Sequence, residues 1–199
     1  MPWKEDTTKY NEYSKVLLEH VRNNCTTSAC AKYILSKLQI NPKKILLLTC
    51  DSGINYTREL TWIGVKRYLE SVGGEGVEYP PINYLYESYQ NKDLYGNGFT
   101  YSGRLKNLNT MKEDDIISSI QNKYWDLIIY GKIGVDEDFY GTIPRVPFWD
   151  NVMTNYSKNK IIFLYGGDIC QNLSTKNKHS DHLLKHSQYG QCFVRELAM

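Results

Sequence analysis

The sequence predicts an α/β fold in which a doubly wound parallel sheet of about five strands follows a helical N-terminal segment. From Lys44 onward, short apolar runs alternate with stretches whose apolar residues recur at helical spacing, which is the pattern of successive βαβ units. The first run, Ile45 to Leu48, is apolar at consecutive positions, as expected of a strand that helices cover on both faces. A chain of 199 residues, 41% of them hydrophobic, is long enough to bury one such core.

The segment before the sheet carries two helical patterns. Apolar residues recur at three- and four-residue spacing between about Tyr10 and Leu38, and the polar run 26–28 interrupts them. Serine and threonine compete for backbone hydrogen bonds within a helix but cap one well, so we predict two helices rather than one. Pro42 ends the segment, because proline disfavours helical backbone in the residue before it. We therefore divide the chain into a helical segment, residues 1–41, and an α/β domain, residues 42–199.

The domain consists of a Rossmann-like series of strands and helices. We predict strands at 45–49, 76–79, 126–130, 160–165 and 191–195, and helices at about 57–71, 112–123, 149–157 and 180–186. Residues 82–109 show no clear period and are rich in tyrosine, which indicates a long aromatic loop. The expected strand order is 3-2-1-4-5 or a close relative of it, with the N-terminal helices packed on the sheet.

Composition and charge exclude several classes of protein. Lysine and arginine number 24 against 22 acidic residues, and the charges are interspersed, so we expect no nucleic-acid partner. The five cysteines form no CxxC pair, which argues against a disulfide framework and a zinc ribbon. The longest aliphatic run is far shorter than the roughly 20 residues of a membrane-spanning helix, and the N-terminus lacks the apolar core of a signal peptide. We therefore expect a cytoplasmic protein without a membrane span.

Open parallel sheets bind ligands beyond the carboxyl ends of their strands, near the point where the strand order reverses. That rule selects the residues that follow the predicted strands. The candidates for ligand binding are Asp51, Ser52, Gly53, Asn55 and Arg58 after the first strand, Gly131 after the third, Gly166 and Gly167 after the fourth, and Arg195 at the end of the fifth. The candidates for catalysis are Asp168 and Glu196. We expect Asp51, Gly166, Gly167, Asp168 and Glu196 to converge at one edge of the sheet.

Each of these groups suits a polar ligand, and each also has a plain structural explanation. The run 51–53 precedes a helix, whose N-terminal N–H groups and dipole attract anions. It matches neither the dinucleotide-binding fingerprint nor the P-loop motif. An ordinary turn into the helix explains these residues equally well. Asp168 can accept hydrogen bonds from hydroxyl groups, or belong to an ordinary Gly-Gly-Asp turn. Arg195 can reach a phosphate or orient Glu196, or the two can form a structural ion pair.

Two segments contain residue types that bind metal ions. His179, His182 and His186 would share one face of a continuous helix, but Ser180 is placed to cap that helix and leave His179 outside it. The acidic run 136–138 has the Asp-x-Asp form of some divalent-cation sites, although three acidic residues in a loop are more often solvated. We predict no metal and no cofactor.

Several segments together resemble a known group of proteins. They are Lys44-Ile45-Leu46-Leu47-Leu48, Leu94-Tyr95-Gly96-Asn97-Gly98-Phe99-Thr100-Tyr101, Tyr124-Trp125-Asp126-Leu127-Ile128-Ile129-Tyr130-Gly131, Gly166-Gly167-Asp168 and Phe193-Val194-Arg195-Glu196-Leu197. From Lys44 to its end, the chain is similar to the N-terminal half of uncharacterised glycosyltransferase-like proteins of the spore-maturation CgeB type. The resemblance implies a GT-B arrangement, in which two Rossmann-like domains face a cleft and the C-terminal one holds the nucleotide-sugar.

The function that this resemblance implies is that of a glycosyltransferase-like domain, which binds a sugar acceptor or a nucleotide-sugar at the carboxyl edge of its sheet. A second, donor-binding domain is not found within these 199 residues, so we expect half of a two-domain catalytic unit that needs another domain or subunit for turnover. The alternative is a non-enzymatic interaction module that binds another protein through the tyrosine-rich loop 82–109 and the N-terminal helices.

Overall fold

The computed structural model describes residues 7–50, 53–90, 101–131, 147–165, 171–172, 183–194 and 197–198. Its strands are, in chain order, β1 (Lys44–Thr49), β2 (Glu75–Tyr79), β3 (Leu127–Gly131), β4 (Ile161–Tyr165), β5 (Gln171–Asn172), β6 (Gln191–Val194) and β7 (Leu197–Ala198). The first four strands and β6 form one five-stranded sheet in which every neighbouring pair is parallel. The short strands β5 and β7 pair separately, also in parallel. The predicted α/β fold with a parallel sheet is therefore confirmed.

The strand order is β2-β1-β3-β4-β6, so β3 lies beside β1 and β2 is an edge strand. The predicted order 3-2-1-4-5, in which the second strand would separate the first from the third, is not the one adopted. The physical reason is the apolar character of the strands. β1, β3 and β4 are buried along almost their whole length and take the three central positions. β2 has the sequence Glu-Gly-Val-Glu-Tyr and is only half-buried at both ends, which suits an edge.

The α-helices whose bounds both lie within the described residues are α1 (Thr7–Asn24), α2 (Thr27–Leu38), α3 (Tyr56–Val72), α4 (Glu113–Gln121) and α5 (Trp149–Asn155). The predicted division of the N-terminal segment into two helices is confirmed, because Thr26 caps α2 and its hydroxyl accepts a hydrogen bond from the Ala29 N–H at 3.1 Å. α3 ends at Gly73, whose φ of 64° lies in the left-handed region that favours glycine. Among these helices, none has the length and apolar character that a membrane span requires.

The strand side chains alternate between two apolar layers. Ile45 and Leu47 of β1 belong to the layer that contains the buried residues of α2 and α3, whereas Leu46 and Leu48 belong to the layer that contains those of α4 and α5. β3 and β4 alternate in the same way. Helices therefore cover both faces of the sheet, as a doubly wound fold requires.

The two N-terminal helices differ in how they pack. Ala31, Ile34, Leu35 and Leu38 of α2 are buried in the same apolar layer as α3. α1, in contrast, has no buried residue. The expectation that both helices pack on the domain is therefore wrong for α1, whose residues are exposed or at most half-buried along its whole length.

The tyrosine-rich loop 82–109 packs, where the structure describes it, against the protein's own core. Asn83–Leu85 forms a 3₁₀ turn, and Tyr86 makes an isolated parallel bridge with Leu105. Tyr84 and Tyr86 are both buried in the layer that α2 and α3 share. The rings of these two tyrosines therefore contribute to the core rather than to the surface.

The close approach of α2 to α3 depends on Gly64. A Cβ at this position would lie 2.0 Å from the carbonyl oxygen of Thr27 and 3.0 Å from the Cβ of Ala31. We expect Gly64→Ala to destabilise the protein by about 1–2 kcal/mol in urea unfolding, because shifting the α2 backbone costs more than the gain in helix propensity of about 1 kcal/mol. The control Ser71→Ala, at an exposed position of α3, should change the stability by less than about 0.5 kcal/mol. An unchanged stability of Gly64→Ala would contradict this packing.

Candidate functional site

The strand order places the topological switch point between β1 and β3. After β1 the chain crosses through α3 to β2 on one side, and after β3 it crosses through α5 to β4 on the other. The carboxyl ends of β1 and β3 therefore flank the crevice where open parallel sheets bind their ligands. α3 begins directly at this position, so its N-terminus faces the same edge of the sheet.

The N-terminus of α3 is fixed by two reciprocal hydrogen bonds. Asn55 is the N-cap residue, and its side-chain oxygen accepts a hydrogen bond from the Arg58 N–H at 3.0 Å. In return, Oε1 of Glu59 accepts a hydrogen bond from the Asn55 N–H at 2.7 Å. The arrangement resembles a capping box, although the acidic residue lies one position further along the helix. It holds the start of α3 in one orientation relative to β1.

Arg58 lies beneath the switch point and is fully buried. Its guanidinium donates hydrogen bonds to Oγ1 of Thr49 at 2.9 Å, to the carbonyl oxygen of Gly53 at 2.5 Å and to Oε1 of Glu59 at 2.8 Å. Glu59 is buried to the same extent and forms an ion pair with it. One side chain thus joins the end of β1, the chain that follows it and the first turn of α3.

Tyr84 of the aromatic loop completes this cluster. Its hydroxyl donates a hydrogen bond to Oε1 of Glu59 and accepts one from Nη2 of Arg58 at 3.3 Å. Burial, reinforced by the Glu59 carboxylate, raises the pKa of Tyr84, so the phenol stays protonated and remains a donor. The pKa of Tyr101 is raised by the same two causes in the same order. We refer to Thr49, Arg58, Glu59 and Tyr84 as the Arg58 cluster.

Gly131, at the end of β3, leaves space for the side chain of Arg58. A Cβ on this residue would lie 2.6 Å from Cγ of Arg58 and 3.1 Å from Cδ1 of Leu47. The space that a side chain would take is therefore filled by the stem of Arg58. A glycine at this strand end has a packing reason, and its predicted contact with a ligand stays a prediction.

The structure brings some of the predicted site residues together at this edge. Gly53, Asn55, Arg58 and Gly131 all lie at the carboxyl ends of β1 and β3. The other candidates, Asp51, Ser52, Gly166, Gly167, Asp168, Arg195 and Glu196, lie outside the described residues. The convergence of Asp51, Gly166, Gly167, Asp168 and Glu196 therefore remains a prediction.

Three members of the Arg58 cluster were not selected by the sequence analysis. Thr49 lies inside a strand, and Tyr84 is distant in sequence from Arg58, so only the fold brings them together. Glu59 could have been identified from the sequence as part of the helix cap, because an acidic residue in the first turn after an asparagine is typical of a capped helix. Its ion pair with the neighbouring Arg58 depends on the burial of both side chains, which local sequence does not reveal.

His186, one of the three histidines weighed as metal ligands, is buried in an aromatic environment. Its Nδ1 forms a hydrogen bond with the hydroxyl of Tyr165, and its ring stacks on Phe163 with centroids 5.0 Å apart. Within the described ranges, no group of three or more metal-binding side chains comes together. His179, His182 and the acidic run 136–138 lie outside those ranges.

A second group of buried polar side chains lies further along the same face of α3, since Trp62 and Lys66 follow Arg58 at four-residue spacing. Oε2 of Glu78 in β2 accepts a hydrogen bond from the indole N–H of Trp62 at 3.0 Å, and Nζ of Lys66 donates one to the carbonyl oxygen of Gly76 at 3.0 Å. Burial raises the pKa of Glu78, and this outweighs the opposing effects of Tyr86, Lys66 and Trp62. Burial also lowers the pKa of Lys66, against the attraction of Glu78. These groups lie in the body of the domain, away from the switch point.

An open cleft of about 640 Å³ lies along α4, next to residues at the amino ends of β2 and β3. Glu75, which begins β2, and Tyr124, which precedes β3, line it together with Lys112 and Asp115 near the start of α4. The hydroxyl of Tyr124 donates a hydrogen bond to Oε2 of Glu75 at 2.6 Å. The polar groups of this cleft are thus partly paired with one another, and the cleft is separate from the Arg58 cluster.

Comparison with known proteins adds no relative to this description. No protein-family model, no curated protein and no solved structure matches the chain. The structural support for a function therefore comes from the fold and from the chemistry of the residues at its switch point.

The Arg58–Glu59 pair gives a prediction for stability. We expect Arg58→Met to destabilise the protein by about 3–5 kcal/mol, because it leaves the Glu59 carboxylate buried without its cation. The double variant Arg58→Met/Glu59→Gln should be more stable than Arg58→Met alone, since the uncompensated charge is gone. Urea unfolding of these variants and of Arg67→Met, at an exposed position of α3, measures the difference. A double variant no more stable than Arg58→Met would contradict the pairing.

Glu78 gives a prediction for the pH dependence of stability. Its pKa is raised above the ordinary value of 4.5, so the folded protein keeps a proton that the unfolded chain releases. The stability of the wild type should therefore fall as the pH rises from about 4.5 through the folded pKa of Glu78. Glu78→Gln has no carboxyl group at this position, so it should not lose stability over that range. In urea unfolding at a series of pH values, the free energy of unfolding of Glu78→Gln relative to that of the wild type should therefore increase as the pH rises. A constant difference for Glu78→Gln over this range would refute the assignment.

Proposed function

We propose that this chain is a glycosyltransferase-like domain that binds a sugar acceptor or a nucleotide-sugar at the carboxyl edge of its sheet, and that it forms half of a two-domain catalytic unit. The observation that carries the proposal is the buried Arg58–Glu59 ion pair directly beneath the switch point between β1 and β3. We take the class of ligand from the resemblance to the CgeB-type group. We take the position of the proposed ligand site from the ion pair, which lies at the carboxyl ends of β1 and β3.

A buried ion pair at this position is costly to keep. Removing two charges from water carries a penalty that their attraction often only balances, and apolar side chains of similar volume would stabilise the fold as well or better. The pair does, however, fix the carbonyl of Gly53 and the cap residue Asn55 in place. A rigid edge loses less conformational entropy when a ligand binds. The ion pair is therefore better explained by the order it gives to a binding edge than by its contribution to stability.

The N-terminus of α3 contributes to the same edge. The dipole of a 17-residue helix favours negative charge and oxygen-rich groups at its first turn, and the diphosphate and hydroxyl groups of a nucleotide-sugar have that character. Arg58 is buried and acts in this proposal as a positioning residue, not as a ligand contact. The direct contacts are assigned to the residues around it.

We assign the remaining roles from the sequence. We expect Asp168 to accept hydrogen bonds from sugar hydroxyl groups, Arg195 to bind a phosphate or orient Glu196, and Asp51 to contribute to the same ligand site. Catalytic turnover requires donor and acceptor to be held together, so the proposal includes a second domain or subunit that supplies the donor side. No metal and no cofactor is part of the proposal.

The alternative function, an interaction module that uses the aromatic loop 82–109, has less support. Tyr84 and Tyr86 are buried in the core, and the hydroxyl of Tyr84 is engaged by Arg58 and Glu59. These rings therefore do not form a contact surface for another protein.

Ligand-induced stabilisation tests the proposal. The purified chain is titrated with nucleoside diphosphate sugars and, separately, with free mono- and disaccharides, and its melting temperature is followed. A ligand present at a hundred times its Kd should stabilise the folded state by about 2.7 kcal/mol. Asp168→Asn and Arg195→Ala should lose this shift while they retain their fold. If no member of either ligand class raises the melting temperature, the proposed function fails.

Tyr84→Phe tests whether the Arg58 cluster serves the binding edge. We expect this variant to bind the ligand roughly tenfold more weakly, which corresponds to about 1.4 kcal/mol, because Glu59 loses a donor and holds the start of α3 less firmly. Tyr86→Phe is the matched control, since Tyr86 is buried in the same apolar layer but lies beside Glu78 instead. Equal ligand affinity in Tyr84→Phe and the wild type, by the same titration, would place the ligand elsewhere on the protein.

A further inference from the structure

The outer face of α1 is apolar and uncovered. Its large hydrophobic side chains are Tyr10, Tyr13, Val16, Leu17, Leu18 and Val21, and each is between 41% and 73% exposed. Within the described residues, α1 is joined to α2 by the turn that Cys25 and Thr26 form. An exposed apolar patch of this kind on a folded protein marks an interaction surface.

The apolar residues of α1 form one continuous stripe. At 3.6 residues per turn, Tyr10, Tyr13, Leu17 and Val21 fall on the same side of the helix, with Val16 and Leu18 at its two borders. Glu12, Lys15, Glu19 and Arg22 lie on the opposite side of the helix, whereas Lys9 and His20 lie at the border of the apolar side, between Val16 and Tyr13. We refer to the six apolar residues as the α1 stripe. A helix of this design normally buries its stripe, because isolated helices of such length are marginal in water.

We propose that the α1 stripe is a homodimer interface, on which the α1 helix of a second copy of this chain packs in antiparallel orientation. With Leu17 next to its own copy at the two-fold axis, Tyr13 lies opposite Val21 of the second copy. Tyr10 then lies opposite Asn24 of the second copy, at the end of the interface. Lys9 and His20 border the seam, and the antiparallel order places Lys9 and its own copy at opposite ends of the helix pair. The stripe therefore meets itself without like charges in contact.

The exposed area of the α1 stripe agrees with a dimer of modest affinity. With about 150–250 Å² for each aromatic side chain and about 100 Å² for each aliphatic one, the stripe removes on the order of 500 Å² per protomer from water. The pair then buries about 1,000 Å², which is the lower limit for a specific interface. We therefore expect a dimer that forms at micromolar concentrations and dissociates on dilution.

The charges of α1 favour a protein partner over a lipid surface. Helices that lie on anionic membranes have polar faces rich in lysine and arginine. In α1, the basic residues Lys9, Lys15 and Arg22 are interspersed with the acidic residues Glu12 and Glu19, so electrostatic attraction to an anionic membrane is weak. A second copy of the chain, in contrast, requires no excess of either charge.

The oligomeric state in solution tests the proposal. Size-exclusion chromatography with light scattering at about 1 µM and about 100 µM should show a mass that rises with concentration towards twice the 23.2 kDa of one chain, as a weak interface predicts. Leu17→Lys should remain monomeric at both concentrations, since it places two like charges at the two-fold axis. The matched control Thr8→Lys adds the same charge on the opposite face of α1 and should dimerise like the wild type. Circular dichroism and the melting temperature at the lower concentration verify that all three proteins are folded.

The antiparallel orientation has its own test. Tyr13→Lys alone should weaken the dimer, and the double variant Tyr13→Lys/Val21→Glu should restore it, because opposite charges then face each other across the seam. A double variant as monomeric as Tyr13→Lys would overturn this orientation. A wild type that stays monomeric at the higher concentration, or a Leu17→Lys variant that dimerises as the wild type does, would overturn the interface itself. Wild-type monomer that cosediments with phosphatidylserine vesicles would assign the α1 stripe to a membrane instead.

Discussion

The carboxyl edge of the sheet depends on one interaction, the buried ion pair between Arg58 and Glu59. The guanidinium holds the end of β1 through Thr49 and the following chain through Gly53, while the carboxylate holds the helix cap through Asn55. Because both charges are fully buried, neither can be satisfied by water if its partner moves. The geometry of the switch point is therefore fixed by electrostatics, and the apolar layers on each side of the sheet only support it.

Glycines are placed where this arrangement needs close contact. Gly131 leaves space for the stem of Arg58 over the end of β3, and Gly64 lets α2 approach the backbone of α3. The first contact fixes the candidate site, and the second attaches α2 to the domain. The N-terminal segment thus has two parts with different roles: α2 belongs to the core, whereas α1 presents its apolar stripe outward.

The candidate site combines contributions from distant parts of the chain. Tyr84 reaches the Arg58 cluster from the aromatic loop, and its burial removes it from the surface on which an interaction module would depend. Residues near the N-terminus of α3 and the strand ends then define the edge to which we assign a sugar or nucleotide-sugar. The α1 stripe is separate from this edge, so ligand binding and self-association are independent proposals for the same chain.

Local signals in the sequence were enough to predict the fold class, the break between α1 and α2, and the parallel strands with their intervening helices, because hydrophobic period and capping residues act over short stretches of chain. The same signals selected Gly53, Asn55, Arg58 and Gly131 as candidates, since each follows a strand. The pairing of β3 with β1, the burial of Arg58 with Glu59 beside Tyr84 and the exposure of the α1 stripe could not be predicted in this way. Strand order, burial and cross-chain hydrogen bonds arise from contacts between residues far apart in sequence, and no local pattern encodes which of those contacts will form.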